Sequence, residues 1–202
     1  MIPQELLNGV GPVAEGLQDL GVSYVITGSV AALAYGMYRS TADVDIVVDL
    51  RHEHVAPLVA RLEDAYYIDA DMLYDAIQHR SSCNLIYLES MLKIDLFIPR
   101  DEQFEASIFR RARAEEYETS KGEYQFSFTS PEDLVLRKLE WYRNTNLTSE
   151  RQWTDILGVL KVQARALDFV YMHVWAQRLG ISELLGQALE DAGLPQSESG
   201  RQ

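Results

Sequence analysis

Two aspartates, Asp43 and Asp45, lie two residues apart at the start of an apolar run, residues 46–48. In a β-strand successive side chains alternate between the faces, so both carboxylates would point to one face and Val44 to the other. Two carboxylates this close repel each other unless a positive charge lies between them. Mg²⁺ is commonly held by one or two carboxylates together with substrate phosphates. The spacing therefore predicts a site for a divalent cation, Mg²⁺ or Mn²⁺.

A glycine and a hydroxyl residue, Gly28 and Ser29, precede this pair and follow another apolar run, residues 24–26. The alanine-rich residues 29–38 then predict a short helix. The first turn of a helix has free N–H groups and the positive end of the helix dipole, which favour an anion. Gly28 and Ser29 are therefore predicted to supply the second half of a phosphate-binding site.

The order Gly28-Ser29, then Arg39-x-Thr41-x-Asp43-x-Asp45 and a hydrophobic strand, resembles the nucleotidyltransferase superfamily with the polymerase-beta-like core. The resemblance is greatest to its bacterial branch of aminoglycoside nucleotidyltransferases and abortive-infection toxins. Minimal antitoxin-type enzymes have Ala-Arg-Gly soon after Gly-Ser, whereas here residues 30–36 read Val-Ala-Ala-Leu-Ala-Tyr-Gly, closer to the abortive-infection branch. For the acid pair alone, the alternative is a solvated acidic strand edge.

A third acid, Asp95, lies in the alternating segment 92–98 and shares a strand face with Lys93 and Phe97. A lone acid on the open face of a strand is usually just solvated. In the family that this chain resembles, however, the third carboxylate comes from a later strand beside the Asp-x-Asp strand. The segment Lys-Ile-Asp-Leu-Phe has the expected form, so the resemblance implies that Asp95 joins the acid pair.

A lysine, Lys138, falls on the apolar side of a predicted helix that starts at Ser130-Pro131. Its segment, Ser-Pro-Glu-Asp-Leu-x-x-x-Lys-Leu, resembles the one that brings a lysine to the active cleft in the abortive-infection branch. The alternative is that the ammonium group reaches solvent along aliphatic neighbours. Asp155 lies four residues after Arg151, and this helical spacing predicts a modest surface salt bridge. Asp155 is therefore only a minor candidate for the site.

Together these residues imply nucleotidyl transfer from an NTP to a hydroxyl, with release of pyrophosphate. Asp43 and Asp45 would hold Mg²⁺ against the triphosphate, and Asp95, sharing a metal, would lower the pKa of the acceptor hydroxyl or accept its proton. Gly28 and Ser29 would bind the terminal phosphates. Arg39 would neutralise developing phosphate charge or pair with a neighbouring acid. Thr41 would brace the acid loop, and Lys138 would bind the nucleotide.

Composition limits the class of partner. The chain has 202 residues, 47% of them hydrophobic, with a net charge of −13 and a pI near 4.7. An acidic surface repels the phosphate backbone that dominates nucleic-acid affinity, so bulk nucleic-acid binding is not expected and a small-molecule acceptor is favoured over tRNA or protein. The single cysteine, Cys83, excludes an intramolecular disulfide and is predicted to be a small core residue. No leader or membrane span is evident, so a cytoplasmic protein is expected.

Periodicity changes from two to 3.6 residues at Ser130 and predicts an α+β chain with two domains. Residues 1–129 would form a mixed β-sheet nucleotidyltransferase core, and residues 130–202 a helical bundle closing one side of the cleft. In the first part, Gly9 and Gly11 are expected to interrupt any helix before residue 12. Predicted helices cover residues 12–20, 29–38, 53–64, 71–79 and 101–113, and predicted strands cover 23–27, 43–48, 83–88, 92–98, 115–119 and 124–128. Strands 83–88 and 92–98 are expected to form one hairpin, and 115–119 and 124–128 a second hairpin of edge strands. In the helical part, Asp168 and Ser182 are expected to cap helices.

Two other classes of protein remain open at this stage. The chain could be a nucleotidyltransferase toxin of a toxin-antitoxin system that modifies tRNA or protein, although the acidic pI opposes tRNA. It could instead be a regulatory or antitoxin subunit that binds nucleotide without turnover. The presence of all three acids opposes that second alternative.

Overall fold

The computed structural model describes residues 2–37, 40–100, 102–145 and 147–195. Within these ranges the chain forms seven strands and nine helices. The strands are β1 Tyr24–Thr27, β2 Asp43–Val48, β3 Tyr66–Tyr67, β4 Ser82–Tyr87, β5 Leu92–Phe97, β6 Arg113–Thr119 and β7 Gly122–Phe128. The helices are α1 Gln4–Asp19, α2 Gly28–Ala34, α3 His52–Leu62, α4 Ala70–His79, α5 Glu102–Arg111, α6 Pro131–Asn144, α7 Glu150–Gln163, α8 Phe169–Leu179 and α9 Ser182–Asp191.

The seven described strands form one mixed sheet in the order β3-β4-β5-β2-β1-β7-β6. β2 pairs antiparallel with β1 and parallel with β5, and β1 also pairs parallel with β7. The predicted hairpin of β4 and β5 is confirmed by their antiparallel register. The predicted fold class, a mixed sheet followed by helices, is therefore confirmed.

Helix α1 differs from the sequence prediction because it runs through Gly9 and Gly11. A Cβ atom at Gly9 would lie 2.7 Å from Leu92 Cδ2, and one at Gly11 would lie 2.5 Å from Tyr124 Cε2. These glycines therefore let the helix backbone approach the sheet closely, and packing outweighs their poor helix propensity. Leu92 shares its face with Ile94 and Leu96, so α1 covers the face of β5 opposite Asp95.

Two features of the sheet were not predicted. The hairpin of β6 and β7 was expected to consist of edge strands, but β7 joins the main sheet through the pair Ile26 and Phe128, and only β6 lies at that edge of the described sheet. The two-residue strand β3, Tyr66–Tyr67, forms the other edge. Neither feature has a local signal in the sequence. Ile26 and Phe128 lie far apart along the chain, and a strand of two residues is too short to show alternation.

The last four described helices begin largely where the sequence places their caps. The Ser130 hydroxyl accepts from the Asp133 N–H at 3.2 Å, and Pro131 is the first residue of α6. Asp168 accepts from the Tyr171 N–H at 2.9 Å. Ser182 was predicted to cap α9, but the cap position is the preceding Ile181, which makes no side-chain capping bond.

The chain divides into two compact units, Met1–Ala31 with Arg39–Thr129, and Ala32–Tyr38 with Ser130–Gln202. The first contains the sheet and the second contains α6 to α9. The predicted domains differ from these units in the segment 32–38, and their status as separate domains stays a prediction. Over the described ranges, none of the helices has both the length and the apolar content that crossing a bilayer requires.

Candidate active site

A row of polar side chains crosses four neighbouring strands of the sheet. In the sheet register, Asp45 lies opposite Thr27 on β1 and opposite Asp95 on β5. Asp95 in turn lies opposite Asn84 on β4. Residues opposite each other share a face, and adjacent strands lie about 4.8 Å apart. Across β1, β2, β5 and β4 this row, called the acid row below, consists of Thr27, Asp45, Asp95 and Asn84.

The next row along the same strands shows why the acids of the polar row face away from the main core. It consists of buried apolar residues that point to the other face: Ile26, Ile46, Leu96 and Cys83. Burial of this row fixes the strand register, because a slip of one residue would turn the acids into the core. The core thus determines which face the carboxylates occupy.

Asp45 lies directly against the backbone of Gly28. Gly28 adopts a left-handed φ of +62°, and a Cβ atom there would lie only 1.9 Å from Asp45 Oδ2. Any side chain at this position would both strain the backbone and push the carboxylate away. Ser29 follows in the first turn of α2, a helix of seven residues, and is partly exposed.

Asp43 is exposed at the start of β2 and interacts with the loop before the strand. The Thr41 hydroxyl lies 2.8 Å from Asp43 Oδ1 and 3.2 Å from the Asp43 carbonyl oxygen, and it can donate to either. This contact ties the carboxylate to its own loop. Arg39, which the sequence assigns to the nucleotide, lies outside the described residues.

Asp95 makes an ion pair that sequence reasoning did not find. The Lys93 ammonium lies 2.8 Å from each oxygen of the Asp95 carboxylate. The hydrogen bond to Asp95 raises the pKa of Lys93, and the charges of Asp95, Asp43 and Asp45 act in the same direction. Lys93 also lies opposite Asp43 in the register. Its side chain is therefore on the sheet face that carries Asp43, Asp45 and Asp95, called the acid face below. The spacing of Lys93 and Asp95 by two residues was the signal that could have revealed the pair.

The carboxylates do not form a ready three-ligand metal site. Among the described residues, no three His, Cys, Asp or Glu side chains are grouped so that they could hold a metal ion. The donor types still suit Mg²⁺, which prefers carboxylate oxygens. Asp45 and Asp95 lie on adjacent strands about 4.8 Å apart, within reach of a shared ion. The residues therefore fit a divalent cation once Asp95 releases Lys93.

Cys83 lies next to the acid row in sequence but points to the buried face. Burial raises the pKa of its thiol to about 11, with a further contribution from the charge of Asp95. The thiol is therefore protonated at neutral pH and is a poor nucleophile or metal ligand. This agrees with the role of a small core residue.

Lys138 and Asp155 form a buried ion pair within the helical unit. The lysine is 7% exposed and the aspartate 6% exposed. Lys138 Nζ lies 2.9 Å from Asp155 Oδ2 and 3.2 Å from Gln152 Oε1. The predicted surface setting of Asp155 is wrong, because its helix turns it inward beside the buried Ile156. A role for Lys138 or Asp155 towards nucleotide stays a prediction.

A cavity of about 580 Å³ lies at the other ends of β2 and β5. Its lining includes Asp49, Arg51, His52 and Arg80, together with apolar residues such as Phe109. Asp49 is four residues beyond Asp45, about 13 Å along an extended chain. None of the three candidate carboxylates lines this cavity, so it is separate from the acid row.

Several solved structures are similar to this chain. An antigenic nucleotidyltransferase-like protein from Paracoccidioides brasiliensis has a TM-score of 0.57 and 18% identity, with 95% of this chain and 93% of that chain covered. The antibiotic-resistance factor ANT(2'')-Ia has a TM-score of 0.50 and 13% identity, with 92% and 98% covered. A lincomycin-bound lincosamide adenylyltransferase has a TM-score of 0.46 and 15% identity, with 77% and 96% covered.

The first two likenesses confirm the resemblance stated from the motif at the level of the fold. The chain has the nucleotidyltransferase fold. By sequence alone, no protein-family model and no curated protein matches the chain.

Proposed function

We propose that the chain is a metal-dependent nucleotidyltransferase that transfers a nucleoside monophosphate from an NTP to a hydroxyl group. The observation that carries the proposal is the acid row, with Asp45 and Asp95 on adjacent strands and Gly28 shaped to admit the Asp45 carboxylate. Its occurrence in a nucleotidyltransferase fold supports the same conclusion.

Asp43, Asp45 and Asp95 would hold Mg²⁺ or Mn²⁺, which when bound neutralises triphosphate charge and acidifies the acceptor hydroxyl. The acceptor oxygen forms a bond to the α-phosphorus while the bond to the leaving pyrophosphate breaks. Asp95 would accept the proton of the hydroxyl, because it lies beside Asp45 on the same face of the sheet. The reaction then needs no further co-reactant.

The remaining candidates would bind and orient the nucleotide. Gly28 and Ser29 would present N–H groups and a hydroxyl to the phosphates, and Thr41 would keep the Asp43 carboxylate in place. Arg39 and Lys138 would supply positive charge to the triphosphate. In this proposal residues 1–129 form the catalytic domain and residues 130–202 an accessory helical domain.

A small molecule is the acceptor that we favour. The net charge of −13 disfavours a long polyanion such as tRNA. One of the proteins with the same fold is described as an antibiotic-resistance factor, which is compatible with a small hydroxyl-bearing acceptor. A toxin that modifies tRNA or protein is the alternative, and label transfer separates the two.

Thermal unfolding tests the proposal. Each NTP with Mg²⁺ or Mn²⁺ is added to the protein, and the correct nucleotide should raise the melting temperature by about 5 to 10 °C near a hundredfold excess over its Kd. The triphosphate without metal should have little effect. An unmoved transition at millimolar metal and nucleotide would remove the main support for an enzyme.

Asp45→Asn in the same assay distinguishes a ligand from a structural acid. Neutralising a metal ligand removes charge repulsion, so the metal-free variant should melt at the wild-type temperature or above, while the response to metal and nucleotide disappears. A structural acid would behave in the opposite way. A variant that melts much earlier yet keeps the ligand response would show that Asp45 belongs to the fold and not to the site.

A further inference from the structure

Lys93 brings a positive charge of the chain's own to the acid face. Lys93 Nζ lies 2.8 Å from both oxygens of Asp95, the carboxylate that the proposed metal would share with Asp45. We propose that Lys93 is a built-in competitor of the divalent cation, which neutralises Asp95 in the metal-free protein and must leave when the metal binds. This inference rests on the proposed function.

The geometry makes sharing unfavourable. Lys93 engages both oxygens of the carboxylate, so a cation approaching Asp95 from Asp45 meets a second positive charge on the same group. At separations of a few ångströms two like charges repel strongly, even near a protein surface. The metal and the ammonium are therefore alternatives for Asp95.

The ion pair between Lys93 and Asp95 can also separate at low cost. The Lys93 side chain is 49% exposed, whereas that of Asp95 is only 17% exposed. Ion pairs in contact with solvent contribute little to stability, because water and side-chain entropy offset the attraction. The strand fixes both Cα atoms, and the flexible four-carbon stem of lysine lets the ammonium swing away. Release of Lys93 therefore requires no movement of the backbone.

The triphosphate provides the released ammonium with a new partner. Lys93 lies opposite Asp43 on the same face as the acid row, so the released side chain remains next to the place where the phosphates would bind. Binding of nucleotide should therefore favour the exchange in which the metal takes Asp95 and Lys93 contacts phosphate. Metal alone should bind weakly to the wild type, and metal with nucleotide should bind much more tightly.

Binding of Mn²⁺ to the full chain, followed by the electron paramagnetic resonance signal of the free ion, measures the competition without any turnover. Lys93→Met nearly keeps the length of the side chain and removes the charge, so Mn²⁺ should bind about two to five times more tightly than to wild type. Lys93→Arg keeps the charge and the two-pronged contact, so its affinity should equal the wild-type value or fall below it.

Lys161→Met is the matched control, because it makes the same change of net charge at an exposed position on α7. Its Mn²⁺ affinity should match the wild type. A second readout is the gain in Mn²⁺ affinity when a non-hydrolysable NTP analogue is added, which should be smaller for Lys93→Met than for wild type. A simple effect of surface charge would not reduce that gain.

The outcomes separate this inference from the proposed function. If Lys93→Met binds Mn²⁺ no better than wild type, or if Lys161→Met gains as much, the competition is overturned. If Lys93→Met shows no measurable Mn²⁺ binding, it is overturned as well. The proposed function fails by a different result, which is the absence of stabilisation by metal together with nucleotide.

Discussion

At the scale of single residues, Gly28 is the position where backbone shape and site chemistry depend on each other. Its left-handed φ of +62° favours glycine, and the Asp45 carboxylate occupies the space where a Cβ atom would lie. Other glycines of the chain also have positive φ angles, but a Cβ at Gly21 would meet nothing within 4 Å. Gly21 thus shows the backbone requirement alone, and Gly28 shows it together with a contact.

Gly28→Ala and Gly21→Ala test this difference. Both substitutions place a Cβ in the left-handed region, which should lower the free energy of unfolding by about 1 to 2 kcal/mol. Only Gly28→Ala forces Asp45 to move, so only this variant should lose the rise in melting temperature with metal and nucleotide. Chemical denaturation and melting with ligands measure the two effects. Equal ligand responses in both variants would contradict the role assigned to Gly28.

The sequence predicted the acids but not all of their partners. Alternation on β2 and β5 correctly placed Asp43 and Asp45 on one face, and Lys93 and Asp95 on one face. It did not show that the ammonium would turn onto Asp95, because alternation fixes a face and leaves the rotamers open. The close approach of Asp45 to Gly28 was likewise hidden, because it depends on the register between β1 and β2.

At the scale of elements, local signals predicted well and distant ones did not. Ser130, Pro131 and Asp168 marked helix starts through contacts within three residues, and the structure has them there. Gly9 and Gly11 were misread, because their partners Leu92 and Tyr124 are far away in the sequence. The general fold follows from periodicity and motif, whereas the attachment of β7 to β1 depends on a pairing that no local pattern encodes.

Helices α6 and α7 are joined by the buried pair of Lys138 and Asp155, and this pair yields another prediction. Lys138→Met removes the ammonium that neutralises the buried Asp155 carboxylate and should cost on the order of 3 to 5 kcal/mol of unfolding free energy. Replacing both residues, Lys138→Met with Asp155→Leu, should restore most of that loss. Arg137→Met on the same helix breaks a more exposed pair with Glu140 and should cost less than about 1 kcal/mol.

The double variant also decides whether Lys138 acts on nucleotide. If the pair is only structural, the restored protein should keep its melting response to metal and NTP. Loss of the response in a protein of restored stability would support the nucleotide-binding role predicted from the motif. A double variant as unstable as Lys138→Met would instead contradict the pairwise account of this buried contact.

At the scale of the whole molecule, charge determines which acceptors can approach. The net charge of −13 repels polyanions over several ångströms, and added salt weakens this repulsion. Incubation with labelled NTP, Mg²⁺ and a cell extract, followed by size separation, should place the label in the small-molecule fraction at low salt. Label in the tRNA or protein fraction would contradict our choice of acceptor while leaving nucleotidyl transfer in place.

The order of the strands also has a consequence for how the chain is made. β1 lies between β2 and β7, and its pairing partner on the β7 side, Phe128, comes about a hundred residues after Ile26. During synthesis on the ribosome, the acid row can be complete as soon as β5 has emerged. The far edge of β1 nevertheless stays open for about two to six more seconds, at about 5 to 20 residues per second. A polypeptide released in that interval would contain the three carboxylates and also a bare strand edge, which is the kind of surface that chaperones cover and other nascent chains can pair with.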